Sequence, residues 1–327
     1  MHKRLLRYGL LFIVFAIPSC TKDDLSGIDF RDEMRKFVVQ ISDYAKAGNP
    51  DFIVIPQNGH ELIYTDDALT TADENYLNAI DGLGQEELLF GWDNRDGRET
   101  DLETISYLQH LLTKAKNYNK RILVTDYTDV KAQVDESYYT NDSFGYISFA
   151  APDRDMRSIP GYPLKPYREN AADVNELSQA KNFLYLINTE FYPTKQQFAE
   201  AVQATNYDVL IMDYFIEDTF WTAAELSALK TKANGGRRLV ICYMSIGEAE
   251  DYRWYWQNDW QCGNPAWLEK ENPQWKGNYK VRYWYSQWKS IIYGSSDAYL
   301  DRIVSAGFDG VYLDIIDGWE YYESRYK

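Results

Sequence analysis

The side chains best suited to chemistry lie near the end of the chain, in the stretch AGFDGVYLDIIDG at positions 306–318. The residues VYL at 311–313 favour a strand that is buried on both faces, as in a parallel sheet. Asp314 and Asp317 follow at the point where this strand ends. Because parallel α/β folds bind their ligands at the carboxyl ends of the strands, these two carboxylates are candidates for catalytic groups.

Several other predicted strands also end on polar residues. These residues are Gln57, Asn58, Asp126, Asp213 and Ser245. Each of them alone could be the N-cap of the next helix, which is a common role for a polar residue between a strand and a helix. Together they would meet at one rim of a parallel fold, and this convergence predicts a binding or catalytic site there.

Strand-like and helix-like segments alternate along the chain, which indicates a parallel α/β fold. We predict a (β/α)₈ TIM barrel, with nine candidate strands for eight places and the segment 145–149 as the extra one. The candidate strands are 52–56, 87–90, 121–126, 145–149, 183–187, 209–213, 239–245, 280–284 and 310–314. Helices are predicted at 32–45, 102–118, 194–205, 223–233 and 297–306.

Composition and charge limit the classes of protein. The chain has 327 residues, of which 45% are hydrophobic, enough for one large domain. Its formal net charge is −16, and −19 once residues 1–19, with three cations and no acids, are removed. This charge argues against a nucleic acid partner, whose phosphates it would repel, and suits a cationic substrate. Three histidines and the absence of a Cys-x-x-Cys pair predict no metal and no cofactor, while a Cys242–Cys262 disulfide remains open.

The first residues predict export. Three basic side chains precede an apolar run that is too short to span a bilayer, and IPSC at 17–20 resembles a bacterial lipobox. We predict a lipoprotein signal peptide at 1–19, a lipidated Cys20 within a tether at 20–30, and a single domain at 31–327. Cys20 would be the only membrane attachment. The sequence TKDD at 21–24 resembles a signal for display on the outer membrane surface, with the periplasmic face as the alternative.

The chain is rich in aromatic residues, with 28 tyrosines and 10 tryptophans. Seven of the tryptophans lie between positions 252 and 288. Aromatic rings stack on the apolar faces of sugars, so this segment could be a platform for a glycan. It could equally be a loop that large rings hold in order by packing on one another. The sequence leaves both interpretations open.

Three long segments carry a resemblance to a known family. They are YDVLIMDY at 207–214, VICYMSIGEAEDYR at 240–253 and GFDGVYLDIID at 307–317. These segments resemble glycoside hydrolase family 114, the endo-α-1,4-polygalactosaminidase-like superfamily, in a branch apart from the polygalactosaminidases themselves. Further matches are NYKVRYW at 278–284, FIVIPQNGHE at 52–61 and DGLGQEELLF at 81–90. The resemblance implies a TIM barrel that hydrolyses an α-linked polysaccharide, for which an amino-sugar polymer is one candidate.

The order of the segments differs from that of the family. In the family, GFDGV-x-x-D lies in the middle of the chain and a segment similar to 31–57 follows it, whereas here the first stands at the end and the second at the start. The chain therefore resembles a circular permutant. A barrel tolerates such a change because its first and last elements are neighbours. We expect the helix predicted at 32–45 to pack beside the strand at 310–314.

The resemblance also implies roles for the carboxylates. It assigns Asp314 as the nucleophile and Glu86 as the acid/base, with Glu87 as the alternate. Most glycosidases need two such groups, which lie about 5–5.5 Å apart in retaining enzymes and about 6.5–9.5 Å apart in inverting enzymes. The sequence leaves open which of these applies, and it leaves open endo against exo action.

The other residues at the predicted rim are candidates for binding the substrate. They are Gln57, Asn58, Asp126, Asp213, Tyr214, Tyr243, Ser245, Glu248, Trp284 and Asp317. The alternative function is a non-catalytic, glycan-binding surface lipoprotein whose degenerate site retains the cleft and lacks the acid. In both cases the expected partner is a polysaccharide or an oligosaccharide.

Overall fold

Helices and strands alternate throughout the described chain. The structure is a computed structural model that describes residues 25–216 and 219–326, so the predicted signal peptide and Cys20 lie outside the described residues. The helices are α1 (Phe30–Gly48), α2 (Glu74–Ala79), α3 (Leu102–Asn117), α4 (Lys131–Ser143), α5 (Lys195–Gln203), α6 (Ala223–Leu229), α7 (Ser286–Ile292), α8 (Tyr299–Ala306) and α9 (Gly318–Tyr326). The strands are β1 (Ile53–Pro56), β2 (Gly82–Glu86), β3 (Arg121–Tyr127), β4 (Ile147–Ala151), β5 (Phe183–Leu186), β6 (Val209–Met212), β7 (Phe215–Ile216), β8 (Thr219–Phe220), β9 (Leu239–Ser245), β10 (Glu248–Glu250), β11 (Leu268–Glu271), β12 (Asn278–Val281) and β13 (Gly310–Asp314). None of these described helices is long and apolar enough to cross a membrane.

Eight of the strands run parallel and form two sheets. One sheet has the order β1–β13–β9–β6–β5 and the other has the order β2–β3–β4. A parallel bridge between Gln57 and Gly84 joins β1 to β2. On the far side, the rings of Phe149 on β4 and Phe183 on β5 lie 5.8 Å apart, although no ladder joins these two strands in the described residues. The α/β class with parallel strands is therefore confirmed, and each parallel strand has its neighbours in chain order beside it.

Three of the predicted strands are wrong in place or in role. The segment 145–149 overlaps β4, so it is one of the eight parallel strands and not the extra one. The segment 280–284 overlaps β12, which pairs antiparallel with β10 and β11 in a small separate sheet. The first strand of the second sheet is β2, five residues before the predicted segment 87–90. Its sequence, GLGQE, is poor in the branched and aromatic residues that indicate a strand, which explains the error.

Gly84 is required in β2 because a tyrosine occupies the space of its side chain. A Cβ atom at this position would lie 1.9 Å from the hydroxyl oxygen of Tyr312 on β13. The ring of Tyr312 packs against Tyr185 of β5, with ring centroids 5.1 Å apart, and all three residues are buried. Large rings therefore fill the interior between the strands, directly below the rim where β1, β2 and β13 end.

Four of the predicted helices are confirmed with small changes at their ends. They are α1, α3, α5 and α8. The helix predicted at 223–233 ends earlier, at Leu229, because Thr231 forms an antiparallel bridge with Arg237. Directly after this bridge, Lys232 is fully buried and forms a salt bridge of 2.9 Å with Asp208. A helix that continued to residue 233 would not place Lys232 in this way.

Helix α1 packs against other helices, and its expected place beside the strand at 310–314 stays a prediction. It lies against α8, which precedes β13, and against α2, which precedes β2. Its N-cap is Asp29, whose carboxylate accepts a hydrogen bond of 3.0 Å from the backbone N–H of Asp32. The helix leads into β1, which pairs directly with β13. The first helix therefore contacts α2 and α8, and the strand that follows it pairs with the last strand.

The tryptophan-rich segment 252–288 is held mainly by its own rings. Six of its seven tryptophans contact other aromatic rings, with centroids 4.7–6.2 Å apart; they are Trp254, Trp256, Trp260, Trp267, Trp284 and Trp288. The self-packed interpretation is correct for these six. Cys242, on the preceding strand β9, is a buried free thiol, so the disulfide considered between it and Cys262 does not form.

Candidate active site

A cavity of about 1070 Å³ lies at the carboxyl ends of the parallel strands. Its walls include Glu86 at the end of β2, Asp314 at the end of β13 and Gln57 directly after β1. The cavity is therefore at the rim that the sequence predicts, and it contains both proposed catalytic carboxylates.

Asp314 is held by three donors. The hydroxyl of Tyr243, on the neighbouring strand β9, donates to Oδ2 at 2.6 Å. The side-chain amide of Gln57 and the backbone N–H of Ile315 donate to Oδ1 at 2.9 and 2.8 Å. The carboxylate is therefore fixed in direction before any ligand enters.

Glu86 is held in a similar way from the other side. Its Oε2 accepts hydrogen bonds of 2.8 Å from the side-chain amides of both Gln57 and Asn58. Its Oε1 accepts a hydrogen bond from the hydroxyl of Tyr127, on the neighbouring strand β3. Each carboxylate thus has a tyrosine from an adjacent strand as one donor and the Gln57 amide as another.

The amide of Gln57 connects the two carboxylates. Its nitrogen contacts Oε2 of Glu86 at 2.8 Å and Oδ1 of Asp314 at 2.9 Å, so these oxygens cannot be farther apart than the sum of the two distances, 5.7 Å. The orientation of the amide is set because its oxygen accepts a hydrogen bond of 3.3 Å from Tyr185. Gln57 therefore positions the pair, and its amide protons are already used.

The backbone turns sharply after each of these three residues. Asn58, Glu87 and Ile315 adopt left-handed conformations, with φ of 60°, 57° and 58°. Such values are unfavourable for residues with a Cβ, and most of all for a β-branched isoleucine. Backbone strain concentrated at a cavity rim is typical of functional sites.

Burial and mutual repulsion favour the protonated form of Asp314. Burial, and then the negative charge of Glu86, raise the pKa of Asp314 from 3.8 to about 8. Burial and the charge of Glu320 raise the pKa of Asp317 to about 7. Two carboxyl groups this close cannot both ionise readily, so Asp314 keeps its proton at neutral pH.

The neighbour of Glu86 has a different environment. Glu87 forms a salt bridge of 2.6 Å with Arg154, and the guanidinium of Arg154 lies 4.1 Å from the centre of the Tyr127 ring. Burial is the main cause that raises the pKa of Glu87, and Arg154 opposes it. Glu87 is therefore engaged in an ion pair, whereas Glu86 faces Asp314. This geometry favours Glu86 over Glu87 as the second catalytic group.

The cavity is strongly acidic. Among the residues that the structure describes, three cations line it, Arg154, Arg253 and Lys276. The acids that line it are Glu61, Glu86, Glu87, Asp155, Asp213, Glu248, Glu250, Asp314, Asp317 and Glu320. The two arginines are already paired, with Glu87 and with Asp213 and Glu250. Within the described residues, five of the acids form no salt bridge; they are Glu61, Glu86, Asp314, Asp317 and Glu320. The cavity therefore attracts a positively charged ligand.

Most of the substrate-binding residues predicted from the sequence line this cavity. They are Gln57, Asn58, Asp213, Tyr243, Glu248 and Asp317. Two of these are already engaged. Asp213 pairs with the buried Arg253 at 2.8 Å, and the fully buried Glu248 accepts hydrogen bonds from Asn272 and Lys280 at 2.9 and 3.2 Å. They support the cavity wall more than they offer free polar groups to a ligand.

Four predicted residues do not line the cavity. The hydroxyl of Ser245 is buried and donates to the carbonyl oxygen of Glu248 at 3.2 Å. Tyr214 packs against Phe220, with ring centroids 5.0 Å apart. Trp284 belongs to an aromatic cluster with Tyr322 of α9, because its segment is not one of the parallel strands. The fourth is Asp126.

Asp126 points away from the cavity, into the layer of helices. It is fully buried and accepts hydrogen bonds from the backbone N–H groups of Leu89 and Phe90, at 2.8 and 3.1 Å. The side chains of Ser137 and Asn141 on α4 also donate to it, at 2.6 and 3.2 Å. Successive residues of a strand point to opposite faces, so the next residue on β3, Tyr127, faces the cavity instead.

Replacing Asp126 with alanine is expected to destabilise the protein. The change leaves two backbone N–H groups and the hydroxyl of Ser137 buried without an acceptor, at a cost on the order of 2–4 kcal/mol. Urea denaturation at pH 7 measures this free energy of unfolding. Asp259→Ala, at an exposed position, is the control. An unchanged free energy of unfolding would contradict a structural role for Asp126.

The sequence did not point to several groups that line the cavity. Tyr127, Tyr185, Trp92, Arg154 and Glu320 contribute to its walls. Tyr127 could have been found from the two-residue alternation of β3, once Asp126 is placed on the outer face. Glu320 lies on α9, beyond the last strand, and no local pattern in the sequence directs it to the rim.

Comparison with known proteins identifies a family for the second half of the chain. Residues 166–326 match the model of the glycoside-hydrolase family GH114. The match includes Asp213, Tyr243 and Asp314, whereas Glu86 and Gln57 precede it.

Individual relatives match over shorter stretches. An uncharacterised protein of Methanocaldococcus jannaschii, MJ1477, is 38% identical over 157 residues, which are 47% of this chain and 42% of that protein. An uncharacterised protein of Deinococcus radiodurans is 44% identical over 126 residues, 38% of each chain. One of Thermotoga maritima is 37% identical over 121 residues, 37% of this chain and 36% of the relative. The chain thus spans less than half the length of these curated relatives.

Proposed function

Because residues 166–326 belong to glycoside-hydrolase family GH114, we propose that the protein is a glycosidase that uses Asp314 and Glu86 as its catalytic pair. The observation that carries the proposal is the single amide nitrogen of Gln57, which lies 2.8 and 2.9 Å from the two carboxylates. Most glycosidases cleave the glycosidic bond with two carboxyl groups held at a fixed separation, one of which carries a proton.

In the proposed reaction, Asp314 attacks the anomeric carbon while Glu86 protonates the departing glycosidic oxygen. Glu86 then removes a proton from water, which attacks the same carbon and releases Asp314 from the glycosyl-enzyme. Asp314 must be ionised for the first step, although its pKa is raised to about 8. A cationic substrate would lower this pKa, so its binding favours the transfer of the shared proton to Glu86.

The anomeric configuration is expected to be retained. The two nearest carboxylate oxygens lie no more than 5.7 Å apart, as set by their distances to Gln57. This limit agrees with the separation of about 5–5.5 Å in retaining enzymes and leaves too little room for the water of an inverting enzyme. Proton NMR during the first minutes of hydrolysis distinguishes the anomers. First appearance of the opposite anomer would contradict the proposed nucleophile.

The acidic cavity supports an amino sugar as substrate. Five of its acids form no salt bridge within the described residues, and two of them, Asp314 and Asp317, have raised pKa values. An ammonium group on the sugar would relieve their repulsion. We therefore propose an endo-α-1,4-polygalactosaminidase-like activity on an α-linked amino-sugar polymer, with binding that weakens as ionic strength increases.

A panel of polysaccharides tests the proposed function. The protein without its predicted signal peptide and Cys20, residues 21–327, is incubated with each polymer, including partly deacetylated galactosaminogalactan, and new reducing ends are measured. Cleavage by the parent supports the glycosidase. Binding without cleavage of any polymer would favour the second candidate, a glycan-binding lipoprotein. The same cavity and its tryptophans support that candidate.

We further propose that the eight strands close into a (β/α)₈ barrel and that the chain is circularly permuted relative to its family. The pairing of β1 with β13 supports this, as do the place of α1 beside α8 and the family match that begins only at residue 166. Slow amide exchange at the facing edges of β4 and β5 would test the closure.

The proposed location is the outer membrane, with the protein attached through Cys20 and exposed at the cell surface or on the periplasmic face. The support is the lipobox-like sequence at 17–20. Incorporation of a labelled fatty acid that is lost in Cys20→Ser tests the attachment.

A further inference from the structure

Two tryptophans differ from the other eight. Seven of the ten tryptophans of the chain contact other aromatic rings, and Trp319 lies under the guanidinium of Arg31 at 4.0 Å. In the described part of the chain, Trp92 and Trp275 have neither a ring nor a cation as a partner. Both line the cavity, and Trp275 is 42% exposed. The two tryptophans that lack an aromatic or cationic partner in the described residues are therefore the two that line the cavity.

Their loops stand on opposite sides of the carboxylate pair. Four adjacent strands follow one another along the rim in the order β9, β13, β1 and β2. Trp275 lies in the connection between β11 and β12, whose sheet is attached to the chain that leaves β9; Trp92 lies in the loop that leaves β2. Asp314, Gln57 and Glu86 end the three strands β13, β1 and β2. Along the rim, the reacting groups are thus flanked by one tryptophan loop on each side.

Both loops are fixed in place. Asn272, at the base of the Trp275 turn, donates to the fully buried carboxylate of Glu248 at 2.9 Å. The loop of Trp92 is held by Arg154, which donates to the carbonyl oxygen of Gly91 at 2.7 Å and forms a salt bridge with Glu87. A ring on an ordered loop loses little conformational entropy on binding, so these positions suit contact with a ligand.

We propose that Trp275 and Trp92 are the stacking platforms of two sugar-binding subsites, one on each side of the catalytic pair. The ligand is an oligosaccharide long enough to reach both, and the cleaved bond lies between them. The cavity lining also includes polar residues that lie close to each tryptophan in the sequence and suit sugar hydroxyls. They are Lys276 and Asn278 after Trp275, and Asn94 after Trp92. This inference rests on the proposed glycosidase function and adds the residues that select the length of the substrate.

The test uses a length series of oligosaccharides prepared by partial acid hydrolysis of partly deacetylated galactosaminogalactan. Trp275→Ala and Trp92→Ala are compared with the parent by measuring KM, kcat and product lengths. Each variant is expected to raise KM for the longer oligosaccharides about tenfold and to leave KM for the shortest nearly unchanged. The two variants should shift the product pattern in opposite directions. Phenylalanine at either position should restore most of the affinity. Tyr139→Ala, at a position that is 74% exposed and does not line the cavity, is the control.

The outcomes separate this inference from the proposed function. Cleavage by the parent, with the same KM and products in both tryptophan variants, would overturn the platforms and leave the glycosidase standing. If the parent cleaves nothing, the platforms are tested by binding instead. The affinity for the same series of oligosaccharides is then measured by tryptophan fluorescence. Binding that grows stronger with length and is weakened by both variants supports the platforms without catalysis. Absence of both cleavage and binding would overturn the two proposals together.

Discussion

Asparagine in place of Asp314 is expected to lower kcat by about 10³-fold or more and, at the same time, to stabilise the protein. The loss of activity follows because asparagine cannot form the glycosyl-enzyme or share a proton with Glu86. The amide oxygen of the asparagine can accept the hydrogen bonds from Gln57 and Ile315, and its NH2 group can donate to the hydroxyl oxygen of Tyr243. The cavity should therefore keep its shape. Hydrolysis by the variant is measured as new reducing ends, on the polymer that the parent cleaves.

The gain in stability depends on pH in a defined direction. Folded Asp314 keeps its proton up to about pH 8, whereas its ordinary pKa is 3.8. Between these values the folded state binds more protons than the unfolded state, so stability falls as pH increases. Asparagine removes this dependence and should add on the order of 3 kcal/mol at pH 8 and almost nothing near pH 4. Urea denaturation at the two pH values measures the difference.

The control for both measurements is Asp259→Asn, the same chemical change at an exposed position. It should alter neither activity nor the pH dependence. A variant of Asp314 that keeps its activity would remove this residue from the reaction. A variant that is inactive and equally stable at both pH values would leave the chemistry in place but contradict the raised pKa.

Replacing Glu86 with glutamine is expected to have the second largest effect, a loss of about 10²–10⁴-fold in kcat. The same change at Glu87 should cost much less, because Glu87 is paired with Arg154 at 2.6 Å and does not contact the Gln57 amide. Both variants replace glutamate with glutamine, which has nearly the same size, and they do so at adjacent positions. Each variant therefore serves as the control for the other. Equal losses in both would contradict the choice of Glu86.

Azide distinguishes the roles of the two carboxylates. In a retaining enzyme, azide added to an acid/base variant attacks the glycosyl-enzyme and gives a glycosyl azide of retained configuration. In a nucleophile variant, azide attacks the substrate directly and gives the inverted product. We expect retention with Glu86→Ala and inversion with Asp314→Gly. The reverse result would mean that Asp314 supplies the proton, a role that would agree with its raised pKa.

Much of the fold could be predicted because the hydrophobic runs of the parallel strands are distinct. The strand at 310–314 and the helices α1, α3, α5 and α8 were found at or near their observed bounds. The glycine-containing strand β2 was not, because Gly84 is selected by its contact with Tyr312 on another strand. A requirement that comes from a distant residue leaves no local pattern in the sequence.

The site was predicted less completely than the fold. The residues at the strand ends could be identified from the sequence, but the face of the sheet on which each side chain lies could not. A shift of one residue along a strand moves a side chain to the opposite face. This explains why Asp126 is structural while Tyr127 contacts Glu86. The left-handed turns at Asn58, Glu87 and Ile315 also could not be predicted, since none of these residues is glycine and only asparagine commonly adopts this conformation.

The link between Gln57 and Asp314 has a consequence for biosynthesis. The two residues are 257 positions apart in the chain, and β1 has β13 as a sheet neighbour. During synthesis from the N-terminus, one edge of β1 therefore stays unpaired until residues 310–314 have been made. Contacts between residues so distant in sequence also form slowly. In the proposed mechanism, a partly translated chain that lacks Asp314 has no catalytic pair. Under that proposal, activity begins only when synthesis has passed Asp314.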